Sequence, residues 1–312
     1  MLSDAHPLSG FLILQSELPA NILFTGKPYE LEYDTNIFES MKKVFSILGI
    51  LLFPIAGFAQ KAAERAAESR VITVMTYNIY HGEMAYDRGK SNLAEVARII
   101  NKHQPDFVAL QEVDSLTGRS AALNRGMAQN LVKELAFLTS MHGFFGKAID
   151  YDGGGYGEGV LSRYPAKAVN HALPNPEGGE GRALLTIRAE VPGVGPLLFA
   201  GTHLCHQFDA NKLAQAEAIL AALEKSDIPV VMGGDFNFRP DTEPYRVIRR
   251  QFADAALING HPENTISYAT PRSRIDYIFF SPEDKWRVID VQVLREDASD
   301  HMPVLVKLKL EE

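Results

Sequence analysis

The stretch IPVVMGGDFNFRP, residues 228–240, joins a short apolar run to two glycines and then to two oxygen-bearing side chains, Asp235 and Asn237. The apolar run predicts a buried β-strand. If the strand continues, its period of two places Asp235 and Asn237 on the same face, just beyond the sheet. Such a pair is typical of a ligand site, although Gly, Asp and Asn are also common where a strand leaves a sheet through a turn. The rest of the sequence has to decide between these two interpretations.

Strand-like and helix-like segments alternate from residue 71 onward. Two amphipathic segments predict helices: residues 91–104, stopped by Pro105, and residues 209–227, with Asp209 as the N-cap. Apolar, β-branched segments predict strands at residues 70–80, 106–114, 155–165, 182–191, 195–205, 228–235, 273–281 and 302–310. Many strands with a few covering helices predict a layered α/β sandwich, which we interpret as one domain.

The composition is that of an ordinary globular protein, with 312 residues of which 46% are hydrophobic and 22% charged. The 31 basic and 39 acidic residues give a net charge of -8, and no run of Lys or Arg forms a stripe that would bind a polyanion. Bulk affinity for nucleic acid is therefore not supported. The single cysteine, Cys205, excludes an internal disulfide framework and a multi-cysteine metal site.

Residues 41–60, MKKVFSILGILLFPIAGFAQ, have the pattern of a secretory signal peptide: two lysines, an apolar run, and Gly57 and Ala59 at cleavage spacing. The apolar run is shorter than the roughly 20 residues that a membrane-spanning helix needs. We therefore expect residues 1–40 to be a non-native extension from an early start codon and residues 41–59 to be removed near Ala59. A buried hairpin or helix in an N-terminal subdomain is the alternative.

The mature chain, residues 60–312, is then expected to be secreted or periplasmic, without a transmembrane span and monomeric. It retains 33 acidic and 28 basic residues, a net charge of -5. Mild acidity persists after cleavage, so the charge argument against bulk nucleic-acid binding still holds.

Polar side chains stand at the ends of most of the predicted strands. They are Asn78, Glu112, Tyr156, Glu158, His203, Asp235, Asn237, Asp276, Asp300 and His301. Each one alone has an ordinary structural interpretation, such as a turn residue, a surface carboxylate, a core histidine or a cap. Together, so many polar groups beside apolar strands would lack partners unless they met one another or a ligand. We therefore expect them to converge on one site.

Seven motifs in this order resemble the endonuclease/exonuclease/phosphatase superfamily, whose members include pancreatic deoxyribonuclease, abasic-site endonucleases, neutral sphingomyelinases and inositol polyphosphate 5-phosphatases. The motifs are TYNIY, ALQEVD, GYGEGVLSR, GTHLC, GGDFN, SRIDYIFFS and SDHMPV, and they span about residues 71–310. The resemblance implies a deoxyribonuclease I-like four-layer α/β sandwich, in which two packed mixed β-sheets are flanked by helices. It also implies that residues 60–312 form a catalytic domain with its active site at one edge of the sheets.

The resemblance also implies roles for individual residues. His203 stands where deoxyribonuclease-like and sphingomyelinase-like members carry a histidine, and the resemblance pairs it with Glu158 and pairs His301 with Asp276. Tyr156 is expected to donate a hydrogen bond to a phosphate oxygen. Where deoxyribonuclease has a groove-reading arginine, this sequence has Asp114, which counts against cleavage of duplex DNA.

Hydrolysis of a phosphate ester needs a cation and preplaced donors around a crowded charge. The oxygen ligands Glu112, Asn78, Asp300, Asp235 and Asn237 suit Mg²⁺ or Mn²⁺ better than Zn²⁺. We expect Glu112 to be the principal metal ligand with Asn78 and Asp300 in support. Asp235 and Asn237 then bind a second metal or orient the attacking water.

The two histidines are expected to carry the proton transfers. His301 is the expected general base, and His203 is expected either to donate to the leaving oxygen or to stabilise the charge of the phosphorane-like state. These two roles can be exchanged on the sequence alone. Among the residues of the site, His203, His301, Asp235, Asn237, Glu158, Asp276 and Tyr156 are thus the expected catalytic set.

The sequence favours a metal-dependent phosphodiesterase that acts on a small or lipid-head-group substrate. An extracellular nuclease and an inositol-phosphate-type phosphomonoesterase of the same superfamily remain alternatives. Two other classes of protein are alternatives to a phosphoesterase. A non-catalytic binding module would not need both histidine–carboxylate pairs, and a carbohydrate hydrolase would use Asp235 and Glu112 as its carboxylate pair. The last leaves both histidines and Asn78 without a role.

Overall fold

The computed structural model describes residues 70–260 and 262–311, which fold into two packed six-stranded mixed β-sheets with helices on the outside. This is the predicted four-layer, deoxyribonuclease I-like α/β sandwich. The expected extension at residues 1–40 and signal peptide at 41–59 lie outside the described residues. No helix of the described part of the chain is both long and apolar enough to cross a membrane.

The first sheet has the strand order β11-β12-β1-β2-β4-β3. Its strands are β1 (Val71–Asn78), β2 (Phe107–Ser115), β3 (His142–Tyr151), β4 (Gly154–Ser162), β11 (Trp286–Val293) and β12 (Val304–Leu310). Strands β1 and β2 are parallel, and Asn78 lies opposite Gln111 at the end of this pair. Because parallel strands end at the same edge of a sheet, the polar residues after β1 and within β2 come together there.

The second sheet has the order β5-β6-β7-β8-β10-β9. Its strands are β5 (Ala166–Leu173), β6 (Arg182–Val191), β7 (Gly195–His203), β8 (Val230–Asp235), β9 (Ala253–Asp254) and β10 (Asp276–Ser281). Asp235 at the end of β8 is in register with His203 on parallel β7 and with Asp276 on antiparallel β10. Three of the expected site residues therefore occupy one row across three neighbouring strands.

The helices cover the outer faces of the two sheets. They are α1 (Leu93–His103), α2 (Gly118–Leu123), α3 (Leu131–Thr139), α4 (Asp209–Leu223), α5 (Glu243–Ile248) and α6 (Ala255–Asn259), with short 3-10 helices at Tyr80–Gly82 and Glu283–Lys285. Helices α1 and α3 bury their apolar faces on the first sheet, and α4 and α5 on the second. This packing follows from the amphipathic pattern of α1, in which Leu93, Val96 and Ile100 are buried.

The prediction that Asp209 caps α4 is wrong. The N-cap residue is Phe208, and Asp209 is the first residue of the helix. The Asp209 carboxylate instead forms an ion pair with Lys212 Nζ, 2.8 Å away and one turn further along the helix.

The inner faces of the two sheets enclose the main core, in which Val74, Ala109, Val160, Phe199 and Val231 are fully buried. The glycines of the GGDFN motif permit a close approach at the site end of this core. A Cβ atom on Gly233 would lie 3.1 Å from the Cβ of Thr76 on the opposite sheet. Gly233 thus permits the two sheets to approach closely where the polar strand ends meet, whereas Gly234 lies against Thr202 of the same sheet.

Candidate active site

The polar ends of β1, β2, β7, β8 and β10, together with the segment before β12, meet at one edge of the sandwich. The expected site residues at this edge are buried in large part: Asn78, Glu158, His203, Asp235, Asp276 and His301 expose 5% or less of their surface. Glu112, Asn237 and Asp300 are partly exposed, so the cluster opens to solvent on one side. A buried polar cluster with one open side is typical of a binding or catalytic site.

Asn78 joins the two sheets. Its Nδ2 donates to Glu112 Oε1 at 3.0 Å on the first sheet and to Asp235 Oδ2 at 3.1 Å on the second. Its Oδ1 accepts from the backbone N–H of Tyr80 at 3.1 Å, which fixes the orientation of the amide. Two expected metal-site residues, Glu112 and Asp235, are therefore hydrogen-bonded to a third, Asn78.

Asp235 and Asn237 share the site, but not through the pleat of a continuing strand. Strand β8 ends at Asp235, and Asn237 has a left-handed backbone with φ 50°. The Asn237 N–H donates to Asp235 Oδ1 at 3.0 Å, so the carboxylate stabilises the turn. The expectation that a period of two places these residues together is therefore wrong in its mechanism, because a side-chain-stabilised turn brings Asn237 back to the site.

His301 and Asp276 form the expected pair. The His301 Nδ1 lies 3.1 and 3.0 Å from the two carboxylate oxygens of Asp276, and its Nε2 lies 3.6 Å from Asp235 Oδ2. Thr265 Oγ1 donates to Asp276 Oδ2 at 2.5 Å and holds the carboxylate from behind. Burial by itself lowers the pKa of His301, but the charges of Asp276 and Asp235 outweigh burial and raise that pKa to about 10.

His203 is not hydrogen-bonded to Glu158, contrary to the pairing that the sequence suggested. Its Nδ1 lies 3.2 Å from Arg182 Nη1, and its Nε2 lies 3.0 Å from Asn237 Nδ2 and 3.5 Å from Asp235 Oδ2. Because a guanidinium only donates, His203 Nδ1 accepts from Arg182 and a neutral ring carries its proton on Nε2. This tautomer directs the proton at Asp235 Oδ2 and requires the Asn237 amide to turn its oxygen to the ring, which breaks the hydrogen bond from Asn237 Nδ2 to the Leu204 carbonyl. Burial and the Arg182 charge both hold the pKa of His203 well below its usual range.

Glu158 and Tyr156 lie behind and beside this group on β4. Burial raises the pKa of Glu158 well above its usual range, and its Oε2 has no hydrogen-bond partner among the described residues. The carboxylate is nevertheless close enough to Arg182 for that charge to oppose the shift. Burial also raises the pKa of the Tyr156 phenol, and the negative charge of Glu112 adds to the shift. Both expected residues therefore lie close to the site. The Arg182 charge acts on both of its neighbours: it opposes the raised pKa of Glu158 and lowers the pKa of His203.

Glu112 has a second partner, His81, that the sequence did not predict. His81 Nδ1 lies 3.5 Å from Glu112 Oε2, and His81 Nε2 lies 3.2 Å from Glu83 Oε2. Burial by itself raises the pKa of Glu112, but contacts that include the hydrogen bonds from His81 and Asn78 reverse this and lower the pKa to about 2. Glu112 is therefore an ionised carboxylate across the physiological range, which suits a cation ligand.

Asp300 and Asp114 take no part in the hydrogen bonds of the Asn78 side chain. Asp300 accepts from Ser299 Oγ at 3.3 Å and adds to the negative charge near His301, but no hydrogen bond links it to Asn78 or Glu112 in the described chain. Asp114 is fully buried and accepts two hydrogen bonds from Arg119. Asp114 therefore does not itself face a substrate, and the argument from the missing groove arginine against duplex DNA stays a prediction.

The donor set fits a divalent cation of the Mg²⁺ type. Asp235, Asp276 and His301 each offer a ligand atom within 4.8 Å of the others. His301 Nδ1, however, is already hydrogen-bonded to Asp276. Glu112, Asn78 and Asp235 instead form an oxygen-rich group on the Glu112 side. Hard cations prefer oxygen ligands, so the Glu112 side is the better cation site, with the unpartnered Oε2 of Glu158 as a further buried oxygen nearby.

Comparisons with known proteins agree with this architecture. Over 252 residues the chain is 24% identical to the uncharacterized protein YbhP of Escherichia coli (strain K12), which covers 76% of this chain and 96% of that protein. An endonuclease/exonuclease/phosphatase structure from Beutenbergia cavernae superposes with a TM-score of 0.64 at 26% identity, covering 77% of this chain and 72% of the other.

Two further structures share the fold at lower identity. The mannosyl-6-phosphatase Bt3783 of Bacteroides thetaiotaomicron has a TM-score of 0.59 at 18% identity, with 76% and 99% of the two chains covered. The catalytic domain of human Nocturnin with bound sulfate has a TM-score of 0.60 at 20% identity, with 77% and 94% covered. Members of the endonuclease/exonuclease/phosphatase family are generally phosphoester hydrolases that use a divalent metal. Residues 75–301 match the sequence model of the endonuclease/exonuclease/phosphatase family, and the chain belongs to that family.

Proposed function

We propose that the protein is a secreted, divalent-metal-dependent phosphoesterase that hydrolyses a phosphodiester. The observation that carries the proposal is the bridge made by Asn78 Nδ2 between Glu112 and Asp235, 3.0 and 3.1 Å away, beside two histidines in different electrostatic surroundings. An oxygen-rich pocket that contains the ionised Glu112, flanked by one imidazole with a raised pKa and one with a lowered pKa, has the parts that phosphoester hydrolysis requires.

Glu112, Asn78 and Asp235 would hold the cation, with Asp300 and Asn237 within the same open edge. When bound, Mg²⁺ or Mn²⁺ would polarise the phosphate and lower the pKa of a water molecule. Strain at Glu112, whose φ is 57°, supports a functional placement, because a left-handed backbone at a residue other than glycine is unfavourable without a compensating role.

His301 is proposed as the group that takes the proton of the attacking water once a cation is bound, because a cation held by Asp235 would offset the carboxylate charge that keeps the ring protonated in the metal-free protein. Asp276 holds its Nδ1, so Nε2 is the ring atom that faces Asp235 and the open side of the site. An imidazole oriented by a carboxylate on one nitrogen and facing the substrate with the other is the usual arrangement of a general base.

His203 is proposed to act as a neutral hydrogen-bond donor. Arg182 occupies Nδ1 at 3.2 Å, which leaves Nε2–H facing the site beside Asp235 and Asn237. A neutral donor stabilises the developing charge on a phosphate oxygen without releasing its own proton. Of the two roles that the sequence left open for His203, this geometry supports charge stabilisation over proton donation to the leaving group.

The proposed substrate is small or displayed on a lipid head group. The mildly acidic mature chain supports this choice, because duplex binding draws on many Lys and Arg contacts to phosphates. An extracellular nuclease is the second candidate, and it gains weight from the arginine that Asp114 anchors near Tyr156. A phosphomonoesterase is the third, since the mannosyl-6-phosphatase and the 2',3'-cyclic phosphatase ANGEL2 share the fold.

The experiment is a side-by-side assay of purified residues 60–312 on plasmid DNA, single-stranded RNA, sphingomyelin, inositol phosphates and sugar phosphates. Each substrate is measured with Mg²⁺ and with excess chelator, and the His301→Ala variant serves as the matched inactive control. Metal-dependent turnover of a small or lipid phosphodiester supports the proposal. Efficient plasmid nicking at physiological salt with no turnover of the other substrates would replace it with the nuclease alternative.

A further inference from the structure

A fixed arginine stands at the Tyr156 side of the site and takes no part in the mechanism above. Arg119 Nε donates to Asp114 Oδ2 and Nη2 donates to Asp114 Oδ1, both at 2.8 Å. Thr117 Oγ1 donates to the same carboxylate at 2.8 Å. The same Thr117 oxygen accepts a hydrogen bond from the Ser120 N–H and so caps the start of α2. The bidentate pair therefore fixes both the position and the plane of the guanidinium.

The guanidinium lies against two aromatic rings of the β3–β4 hairpin. Its carbon is 4.6 Å from the centroid of the Tyr151 ring and 5.4 Å from that of Tyr156. The hairpin is tied to the start of α2, because the Gly118 N–H donates to the Asp152 carbonyl at 2.8 Å. Arg119, Tyr151 and Tyr156 consequently form one rigid wall, and Tyr156 places that wall next to Glu112, whose charge acts on its phenol.

One end of the guanidinium remains available. Nε and Nη2 are occupied by Asp114, whereas Nη1 has no hydrogen bond or ion pair within residues 70–260 and 262–311. The Arg119 side chain is 26% exposed, while Asp114 behind it is fully buried. An exposed donor on a planar cation, positioned by a buried carboxylate, is the arrangement that recognises an anionic group.

Stability alone is a weak reason for this arrangement. Burying a carboxylate carries a desolvation penalty that its partner only repays in part, and an apolar pair would fill the same space without that penalty. The Arg119 guanidinium lies against Tyr156, and Tyr156 is close enough to Glu112 for that charge to raise the pKa of its phenol, so a substrate that extends past Tyr156 would meet Arg119. We propose that Arg119 is a substrate-binding residue that recognises a second anionic group, next to the scissile phosphoester, and so favours substrates with two phosphates or with a phosphate and a carboxylate.

This inference rests on the proposed phosphoesterase function for its turnover test, so a binding test accompanies it. The turnover probes are thymidine 5'-(4-nitrophenyl phosphate) with and without a 3'-phosphate, which differ only in the second anion. The binding probes are thymidine 3',5'-bisphosphate and thymidine 5'-phosphate, measured by calorimetry. The variant is Arg119→Gln, and Arg188→Gln is the matched control, because Arg188 is an exposed arginine on β6 whose charge faces Asp227 at 3.7 Å.

The wild type and Arg188→Gln are expected to prefer the probe with the second phosphate in both assays. Arg119→Gln is expected to lose that preference by about 10-fold or more, the scale of one charge-assisted hydrogen bond, with turnover of the probe without the 3'-phosphate changed less than about threefold. Arg119→Lys, which keeps the charge without the bidentate geometry, is expected to fall between the two and provides the test if Arg119→Gln does not fold.

An equal loss for both probes would overturn the inference, because it would mean that Arg119 only holds Tyr156 in place. An unchanged preference in Arg119→Gln and Arg119→Lys would overturn it as well. A wild type without turnover that still binds the bisphosphate through Arg119 would refute the proposed function and leave the anion site standing. The two failures are therefore distinguishable.

Discussion

The His301 imidazole lies 3.0 Å from Asp276 Oδ2, with Nδ1 as the atom that faces the carboxylate. A second carboxylate, Asp235, faces the other nitrogen at 3.6 Å. The two histidines of the site therefore lie in opposite fields, because His203 faces the guanidinium of Arg182 instead. Their proton occupancy should differ accordingly, although both rings are buried.

In the metal-free protein at pH 7 we expect His301 to be an imidazolium and His203 a neutral ring with its proton on Nε2. The pKa of His301 is raised to about 10, and the pKa of His203 lies well below 6.5. Ring ¹⁵N chemical shifts across a pH titration measure both states. Two histidines that titrate together near pH 6.5 would contradict the assignment.

The same shift predicts the pH dependence of stability. A group whose pKa is raised by folding stabilises the protein fully below its unfolded value, here 6.5, and that stabilisation is lost as the pH rises through about 10. The unfolding free energy of the metal-free wild type should therefore exceed that of His301→Gln most at pH 6, and the difference should shrink towards pH 10. Urea unfolding at matched pH values measures it, and a constant difference would speak against the raised pKa.

Replacing Arg182 by Gln should raise the pKa of His203. The Arg182 charge is, after burial, the largest contribution that holds this pKa down. The His203 titration should therefore move towards 6.5 in Arg182→Gln and stay unchanged in Arg188→Gln, whose charge lies on the exposed side of β6. NMR titration of the two variants measures the shift, and an unmoved His203 would show that Arg182 does not control the ring.

Gly233→Val should destabilise the protein by about 1–3 kcal/mol, the usual range for overpacking a core. The added atoms would meet the Thr76 Cβ at 3.1 Å and the Ala109 Cβ at 3.2 Å, both on the facing sheet. Ala168→Val is the control, since Ala168 is exposed on β5 and a β-branched residue suits a strand there. Equal stability of the two variants in urea unfolding would mean that the sheets do not need a glycine at this position.

Export and cleavage near Ala59 remain a prediction from residues 41–60 alone. N-terminal sequencing of the protein from its native host should give a chain that starts at or near Gln60. Peptides from residues 1–40 in the same preparation would contradict the early-start interpretation.

The fold was predictable because buried strands and amphipathic helices carry strong periodic patterns. Strands β1, β6, β7, β8, β10 and β12 lie within the segments that predicted them, and the layered sandwich follows from their order. Strands β3, β5 and β11 were not predicted, since each exposes many of its residues to solvent and lacks a continuous apolar run. Edge strands of this kind are specified by pairing with a neighbour, which no local pattern records.

The polar strand ends also identified most of the residues at the site, but not all of their partners. Arg182 begins β6 directly after a glycine-rich turn, and His81 follows Asn78 by three residues, so each stood next to a known motif and carried a weak signal of its own. Their contacts depend on the packing of two sheets and on left-handed turns at His81 and Asn237, with φ of 46° and 50°. The His203–Glu158 pairing failed for the same reason, since only the assembled site shows that Arg182 bonds to the ring.

The most direct test of a metal-dependent phosphoesterase is the hydrolysis of bis(4-nitrophenyl) phosphate by residues 60–312, measured with Mg²⁺ or Mn²⁺ and with excess chelator. Turnover is expected to require the metal, to be abolished by the chelator, and to fall by at least about 100-fold in His301→Ala and in His203→Ala. Glu112→Gln should need a higher metal concentration for half-maximal activity. Full turnover in the chelated wild type, or wild-type rates in both histidine variants, would contradict the account.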